Sequence, residues 1–248
     1  FINSKKTIKP QYAVQRLYEL TKNQDTFITT EVGQHQMWAA QHYKFNKPNR
    51  WMTSGGLVTM GYGLPAAVGV QIAHPDKLVI DIAGEASVLM TMQEMSTAVQ
   101  YNLPIKIFVL NNQYMGMVRQ WQELLHDKNY SESYSEALPD FVKLAEAYGC
   151  KGIMADNPNE LMLALRFPIS SIETVLSEAK SVHESNLDMQ TAFNFNQIRN
   201  AALLVGASLS IAGIISSDEQ ETIRWEFITG VGLLIATYIY DRYIQLIK

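Results

Sequence analysis

Lys77-Leu-Val-Ile-Asp-Ile-Ala-Gly-Glu-Ala-Ser87 sets the fold class. Lys77 to Ala83 is a mainly apolar run ending at Gly84, which reads as a strand. Leu89 to Tyr101 follows with helical spacing. Leu103 and Pro104 then introduce a second apolar run, Ile105-Lys-Ile-Phe-Val-Leu110, which stops at Asn111-Asn112. Strand, helix and strand with short joins predict a parallel pair. Upstream, Gln11 to Lys22 predicts a helix opening after Pro10, and Phe27 to Thr30 a short strand. Downstream, Asp140 to Tyr148 predicts a helix with Asp140 at its amino-terminal cap and Gly149 as its stop. The expected fold class is α/β, a parallel sheet flanked by helices, with sites at the carboxyl ends of the strands.

The composition fits a globular chain: 248 residues, 47% hydrophobic, 18% charged, formal net charge −4. That balance gives nucleic acid no basic stripe to bind, so no nucleic-acid partner is expected. One cysteine, Cys150, excludes an internal disulfide and a cysteine-built zinc site. Phe1 in place of Met is expected of a processed chain or a piece of a longer one, and Phe1 to Pro10 has no signal-peptide core. Trp51 to Pro75 is uncharged but carries five glycines and Pro65, which predicts a loop followed by a buried helix. The carboxyl-terminal part differs. Asn200 to Ser217 and Phe227 to Tyr240 are uncharged runs separated by an acidic stretch, with Arg199, Arg242 and Lys248 at the outer ends. Eighteen helical residues cover about 27 Å, close to a hydrocarbon core of roughly 30 Å. The pattern predicts a transmembrane helical hairpin with the α/β part on the positive-inside face, cytoplasm or organelle matrix. The expected division is residues 1–163 for the α/β domain, 164–197 for a helical linker and 198–248 for the hairpin.

Two motifs carry chemistry. Gly61-Tyr-Gly63-Leu-Pro-Ala66, with Asp81 twenty residues on, matches a dinucleotide fingerprint but lacks the apolar strand that should precede it. Gly84-Glu85-Ala86-Ser87 and Asn111-Asn112 close successive strands. A carboxylate and a carboxamide leaving neighbouring strands can converge on one hard cation. A small-residue turn opening a helix offers amides to a phosphate. Together they suggest a Mg2+-bridged diphosphate.

Val32-Gly-Gln-His-Gln-Met-Trp38, Ser54-Gly-Gly-Leu57, Met60-Gly-Tyr-Gly-Leu-Pro65, Gly84-Glu-Ala-Ser87, Asn111-Asn112 and Gly116-Met-Val-Arg-Gln-Trp121 resemble, in order, the carboxyl-terminal thiamine-diphosphate-binding domain of acetolactate synthase large subunits. The resemblance covers residues 8–163. It implies thiamine diphosphate and Mg2+ as cofactors, and an activity that decarboxylates pyruvate and joins it to a second 2-keto acid in branched-chain amino-acid biosynthesis. By the same resemblance, Glu85, Asn112 and the Tyr114 carbonyl are metal ligands. Val32, Gly33, Gln34, His35, Gly84, Ala86 and Ser87 surround the diphosphate. Val58, Met60, Tyr114, Met115, Gly116 and Met117 wall the rest of the cofactor, and Trp121 lines the substrate channel. No catalytic side chain is expected in this chain. The activating glutamate is implied to come from a pyrimidine-binding domain or second subunit, in an oligomer.

The chain departs from the family pattern in four places. Glu85 replaces Asp, adding a methylene, and Ala86 replaces a usual Gly. Val58 replaces Gly, which would strain a backbone that needs positive φ. After residue 163 the resemblance is expected to end, with the closing strand of the sheet missing. An alternative reading follows from these: a non-catalytic, membrane-tethered pseudoenzyme serving a membrane complex.

Overall fold

A computed structural model describes residues 4–182, all within one compact unit, Phe1–Ser185. Six strands form one sheet: β1 (Thr26–Thr30), β2 (Trp51–Thr53), β3 (Leu78–Gly84), β4 (Lys106–Asn111), β5 (Lys151–Ala155) and β6 (Val175–Lys180). Every pairing is parallel and the order is β2-β1-β3-β4-β6-β5. The helices are α1 (Pro10–Thr21), α2 (Gln34–His42), α3 (Gly63–Ala73), α4 (Glu85–Val88), α5 (Glu94–Gln100), α6 (Gly116–Leu125), α7 (Phe141–Ala147) and α8 (Pro158–Ser170).

Both faces of the sheet are covered, so β3 and β4 are apolar along most of their length, with Asp81 and Lys106 as buried exceptions. Successive side chains leave a strand on opposite faces. Ile80, Ile82, Phe108 and Leu110 pack with Val14, Leu17, Trp38 and Leu161 from α1, α2 and α8. Val79, Ala83, Ile107 and Val109 pack with Leu64, Met95 and Phe141 from α3, α5 and α7. From β1 the chain moves outward one way to β2, then returns across β1 to β3 and β4. The order therefore reverses between β1 and β3, and a crevice opens at their carboxyl ends.

Three expectations need correction. The helix foreseen over 89–101 is shorter: residues 89–93 form turns between α4 and α5, only Glu94–Gln100 is helical, and Thr91 donates to the Gly61 carbonyl at 3.3 Å. The closing strand is present: β6 sits between β4 and β5, and α8 runs through the boundary placed at 163. Pro168 lies in the last turn of α8 and has no N–H for the Ala164 carbonyl. Ser177 of β6 donates to that carbonyl instead, at 3.0 Å. The buried Lys106 ammonium pins the connection by donating to the carbonyls of Ser171 and Glu173 at 2.9 and 2.6 Å. The α/β unit therefore takes in residues assigned above to a helical linker. The hairpin over 198–248 and the localisation drawn from it lie outside the described residues. Among the described residues no helix is long and apolar enough to cross a membrane.

Candidate functional site

Three strand ends build the crevice. After β1 the chain passes through Glu31, Val32 and Gly33 into α2. There the His35 ring is wedged between two glycines. A Cβ on Gly33 would come within 2.6 Å of His35 Cε1, and one on Gly84 within 2.6 Å of His35 Nδ1. Close approach, rather than turn geometry alone, demands glycine at both positions. Burial pushes the His35 imidazole down to about 3, although it donates to the Glu31 carbonyl. His35 Nε2 is buried without a protein partner.

A depressed histidine favours the folded state above the ordinary value of 6.5, and that stability is lost as pH falls toward about 3. Urea unfolding across this window should show a steep loss in the parent and a shallower one in His35→Asn. Identical pH slopes would mean that His35 is not held neutral.

β3 delivers Gly84 and the four residues of α4. Ser87 Oγ accepts from the Gly84 amide at 3.3 Å and donates to the Gly84 carbonyl at 3.1 Å, closing the turn. Glu85 is only 2% exposed. Burial pushes its carboxyl up to about 7. The amides of Glu85, Asn112 and Tyr114 oppose that rise, while the nearby Glu178 charge adds to it. The extra methylene is thus taken up by folding the carboxylate toward the Asn112–Tyr114 loop, and Oε1 is left buried without a partner.

β4 delivers that loop. Asn111 Oδ1 accepts from the Gln113 amide at 3.0 Å, and Asn112 Oδ1 from the Tyr114 amide at 3.1 Å. Two consecutive side-chain turns of this kind fix the backbone. Asn111 Nδ2 donates to Glu178 on β6 at 2.7 Å, tying the loop to the strand that closes the sheet. Beyond it, α6 packs on α2 through buried amides: Gln34 Nε2 donates to Gln120 Oε1 at 3.0 Å, and Gly116 leaves room for Gln34.

A cavity of about 840 Å³ lies over these ends. Its walls contain all of the cofactor, metal and channel residues named from the sequence: Val32, Gly33, Gln34, His35, Val58, Met60, Gly84, Glu85, Ala86, Ser87, Asn112, Tyr114, Met115, Gly116, Met117 and Trp121. Sequence reasoning missed Trp38, Gln122, Leu125, His126, Asp127 and Asn129, which also line it. Leu125 follows Trp121 by four residues, and Gln122 follows Val118, another wall residue, by four, so both were within reach of that signal. The turn at 126–129 was not, since it depends on positive φ at Asp127 and Lys128.

The wall residues suit a diphosphate with a hard cation. Among the described residues no cluster of three or more His, Cys, Asp or Glu forms a metal site. A cation here would therefore rest on one carboxylate and neutral oxygens, as Mg2+ does when phosphates complete its shell. The unpartnered Glu85 Oε1 and the glycine cradle around His35 agree with that donor set. The dinucleotide alternative fails. β2 ends ten residues before Gly63 opens α3, and Asp81 is fully buried, accepting from Thr29 at 2.9 Å rather than facing a ligand.

A parallel sheet with this switch point and these donors defines a diphosphate-cofactor domain. Residues 31–176 match the family described as thiamine pyrophosphate enzyme, C-terminal TPP binding domain. The chain belongs to that family, whose cofactor is thiamine diphosphate with Mg2+. The match runs past residue 163, through α8 and into β6. The chain is 53% identical over 154 residues to the acetolactate synthase isozyme 3 large subunit of Escherichia coli (strain K12), covering 62% of this chain and 27% of that protein. It is 49% identical over 175 residues to the mitochondrial acetolactate synthase catalytic subunit of Saccharomyces cerevisiae, covering 70% and 25%. With the acetolactate synthase large subunit of Pyropia yezoensis it shares 45% over 181 residues, 73% and 30%. The chain spans less than a third of the length of these relatives.

Proposed function

We propose that this chain is the thiamine-diphosphate- and Mg2+-binding part of an acetolactate-synthase-like enzyme, acting on pyruvate and a second 2-keto acid in branched-chain amino-acid biosynthesis. One observation carries the reading: a carboxylate, a carboxamide and two glycine-flanked loops from three strand ends meet in one cavity at the switch point. Glu85, Asn112 and the Tyr114 carbonyl hold the cation. The amides of Gly33 to His35 and of Ala86 and Ser87 hold the diphosphate. Val58, Met60 and Met115 to Met117 orient the remainder and exclude water, and Trp121 stands on the substrate path. The bound cofactor supplies the carbanion stabilisation that loss of carbon dioxide from a 2-keto acid requires. The residues of this chain provide binding, orientation and dryness, while a pyrimidine-binding domain or second subunit supplies the activating carboxylate.

Titration calorimetry of thiamine diphosphate into the full chain tests this directly. Saturable binding with Mg2+, abolished by EDTA, is the expected result, and no heat in the presence of Mg2+ would sink the reading. Val58, discussed below, favours a second reading, a non-catalytic domain that has lost the cofactor, which saturable binding would remove.

A further inference from the structure

Glu31 and Asp81 are both fully buried, and the cofactor-binding reading gives neither a task. They close around Gly63, where an added Cβ would strike Asp81 Oδ1 and come within 2.6 Å of the Glu31 amide nitrogen. Among the described residues no lysine or arginine pairs with either. Glu31 takes its partners from the turn above it: Oε2 accepts from the Gly61 amide at 2.7 Å and Oε1 from the Leu64 amide at 3.0 Å. Those donors open α3, whose own cap position, Tyr62, has no side-chain hydrogen bond. The carboxylate thus does, from the residue that follows β1, what a capping side chain ordinarily does at the helix's own cap position. Thr91 holds the other side of the same turn through the Gly61 carbonyl. Met60, one residue before Gly61, lines the cavity.

Asp81 Oδ1 accepts from Thr29, and Oδ2 is buried with no donor. A second ionised carboxyl beside Glu31, with an oxygen unpaired and no cation near, would be strongly unfavourable. One proton removes the conflict. It belongs on Asp81, because Glu31 has the amides that favour a charged form.

We propose that Glu31 is the positioning residue for the Met60 wall of the cavity, capping α3 from outside the helix, with Asp81 held beside it as the neutral acid. The proposal rests on the cofactor-binding reading for its consequence, but the cap can be measured without any cofactor. In Glu31→Gln the side-chain NH2 faces a backbone N–H, so one of the two amides loses its acceptor.

Amide hydrogen exchange on the full chain should show Gly61 and Leu64 protected in the parent and at least about tenfold less protected in Glu31→Gln. Unchanged protection overturns the cap, whether or not the chain binds cofactor. Calorimetry then reads the consequence: Glu31→Gln should weaken thiamine diphosphate with Mg2+ about tenfold while leaving inorganic pyrophosphate with Mg2+ within about twofold. Equal weakening of both ligands overturns the positioning role. A parent that binds neither ligand sinks the cofactor reading and leaves the exchange result to decide the cap. Should Glu31→Gln fail to fold, Glu31→Asp, one methylene short with the charge kept, should show the same split at smaller amplitude. For Asp81, one component of the carboxylic-acid carbonyl band in the infrared at neutral pH should vanish in Asp81→Asn and persist in Glu31→Gln. The component from Glu85, whose carboxyl burial pushes up to about 7, remains in both. A parent spectrum unchanged by Asp81→Asn overturns the neutral acid.

Discussion

Val58→Gly should raise the stability of the chain by about 1 kcal/mol, a rise of about 2–4 °C in melting temperature for a domain of this size. Val58 has φ 55°. A left-handed backbone costs a non-glycine residue about 1–2 kcal/mol, and a β-branched one is a true outlier there. Part of the gain is offset because glycine makes the unfolded chain freer. The other described non-glycine residues at positive φ are Asn, Gln, Asp, Lys and Glu, so Val58 alone is β-branched. Val58 is 42% exposed and lines the cavity, so glycine also removes bulk from the cofactor wall. Thermal unfolding and calorimetry separate the two effects when Val58→Ala is run beside Val58→Gly. Alanine keeps most of the strain and sheds most of the bulk. Tighter thiamine diphosphate binding in both variants, with a higher melting temperature only in glycine, is the expected pattern. A melting temperature that does not rise in Val58→Gly would mean that position 58 carries no strain.

Much of this site could be read from sequence because its chemistry sits where strands stop. Gly84-Glu85 and Asn111-Asn112 end apolar runs that could hardly be anything but buried parallel strands, and the sheet brings both ends to one crevice. The elements that escaped are those whose stability comes from distant partners. α2 buries Gln34 and His35, residues that break an apolar stripe, and they are accommodated by Gln120 on α6 and the Glu31 carbonyl. β6 contains Ser177 and Glu178, which look wrong for a central strand until Ala164 and Asn111 are seen to receive them. Pro168, inside α8, frees the Ala164 carbonyl that Ser177 uses. Glu31 escaped for the same reason, since its partners lie thirty residues further along the chain.

Glu85→Ala should weaken thiamine diphosphate binding in the presence of Mg2+ by at least about 100-fold, on the order of 3 kcal/mol. The same change should leave the cofactor-free protein as stable as the parent or more so. The two directions follow from one fact. Glu85 is a buried carboxyl with an oxygen that no protein group satisfies, so in the absence of a cation it opposes folding. With a cation present, that oxygen becomes the charged ligand of a set otherwise built from neutral oxygens. A residue kept for packing would behave oppositely, its truncation leaving a cavity and lowering stability. Glu85→Gln keeps the volume and removes the charge, and it should lose Mg2+-supported binding nearly as fully as alanine does. Glu85→Asp withdraws the methylene that carries the carboxylate toward the Asn112–Tyr114 amides, and it should retain Mg2+-dependent binding. Calorimetry with and without EDTA reads the affinities, and urea unfolding of the cofactor-free chains reads the stabilities. If alanine lowers stability and leaves affinity within about twofold, Glu85 is a structural carboxyl and the cation site must lie elsewhere in the cavity.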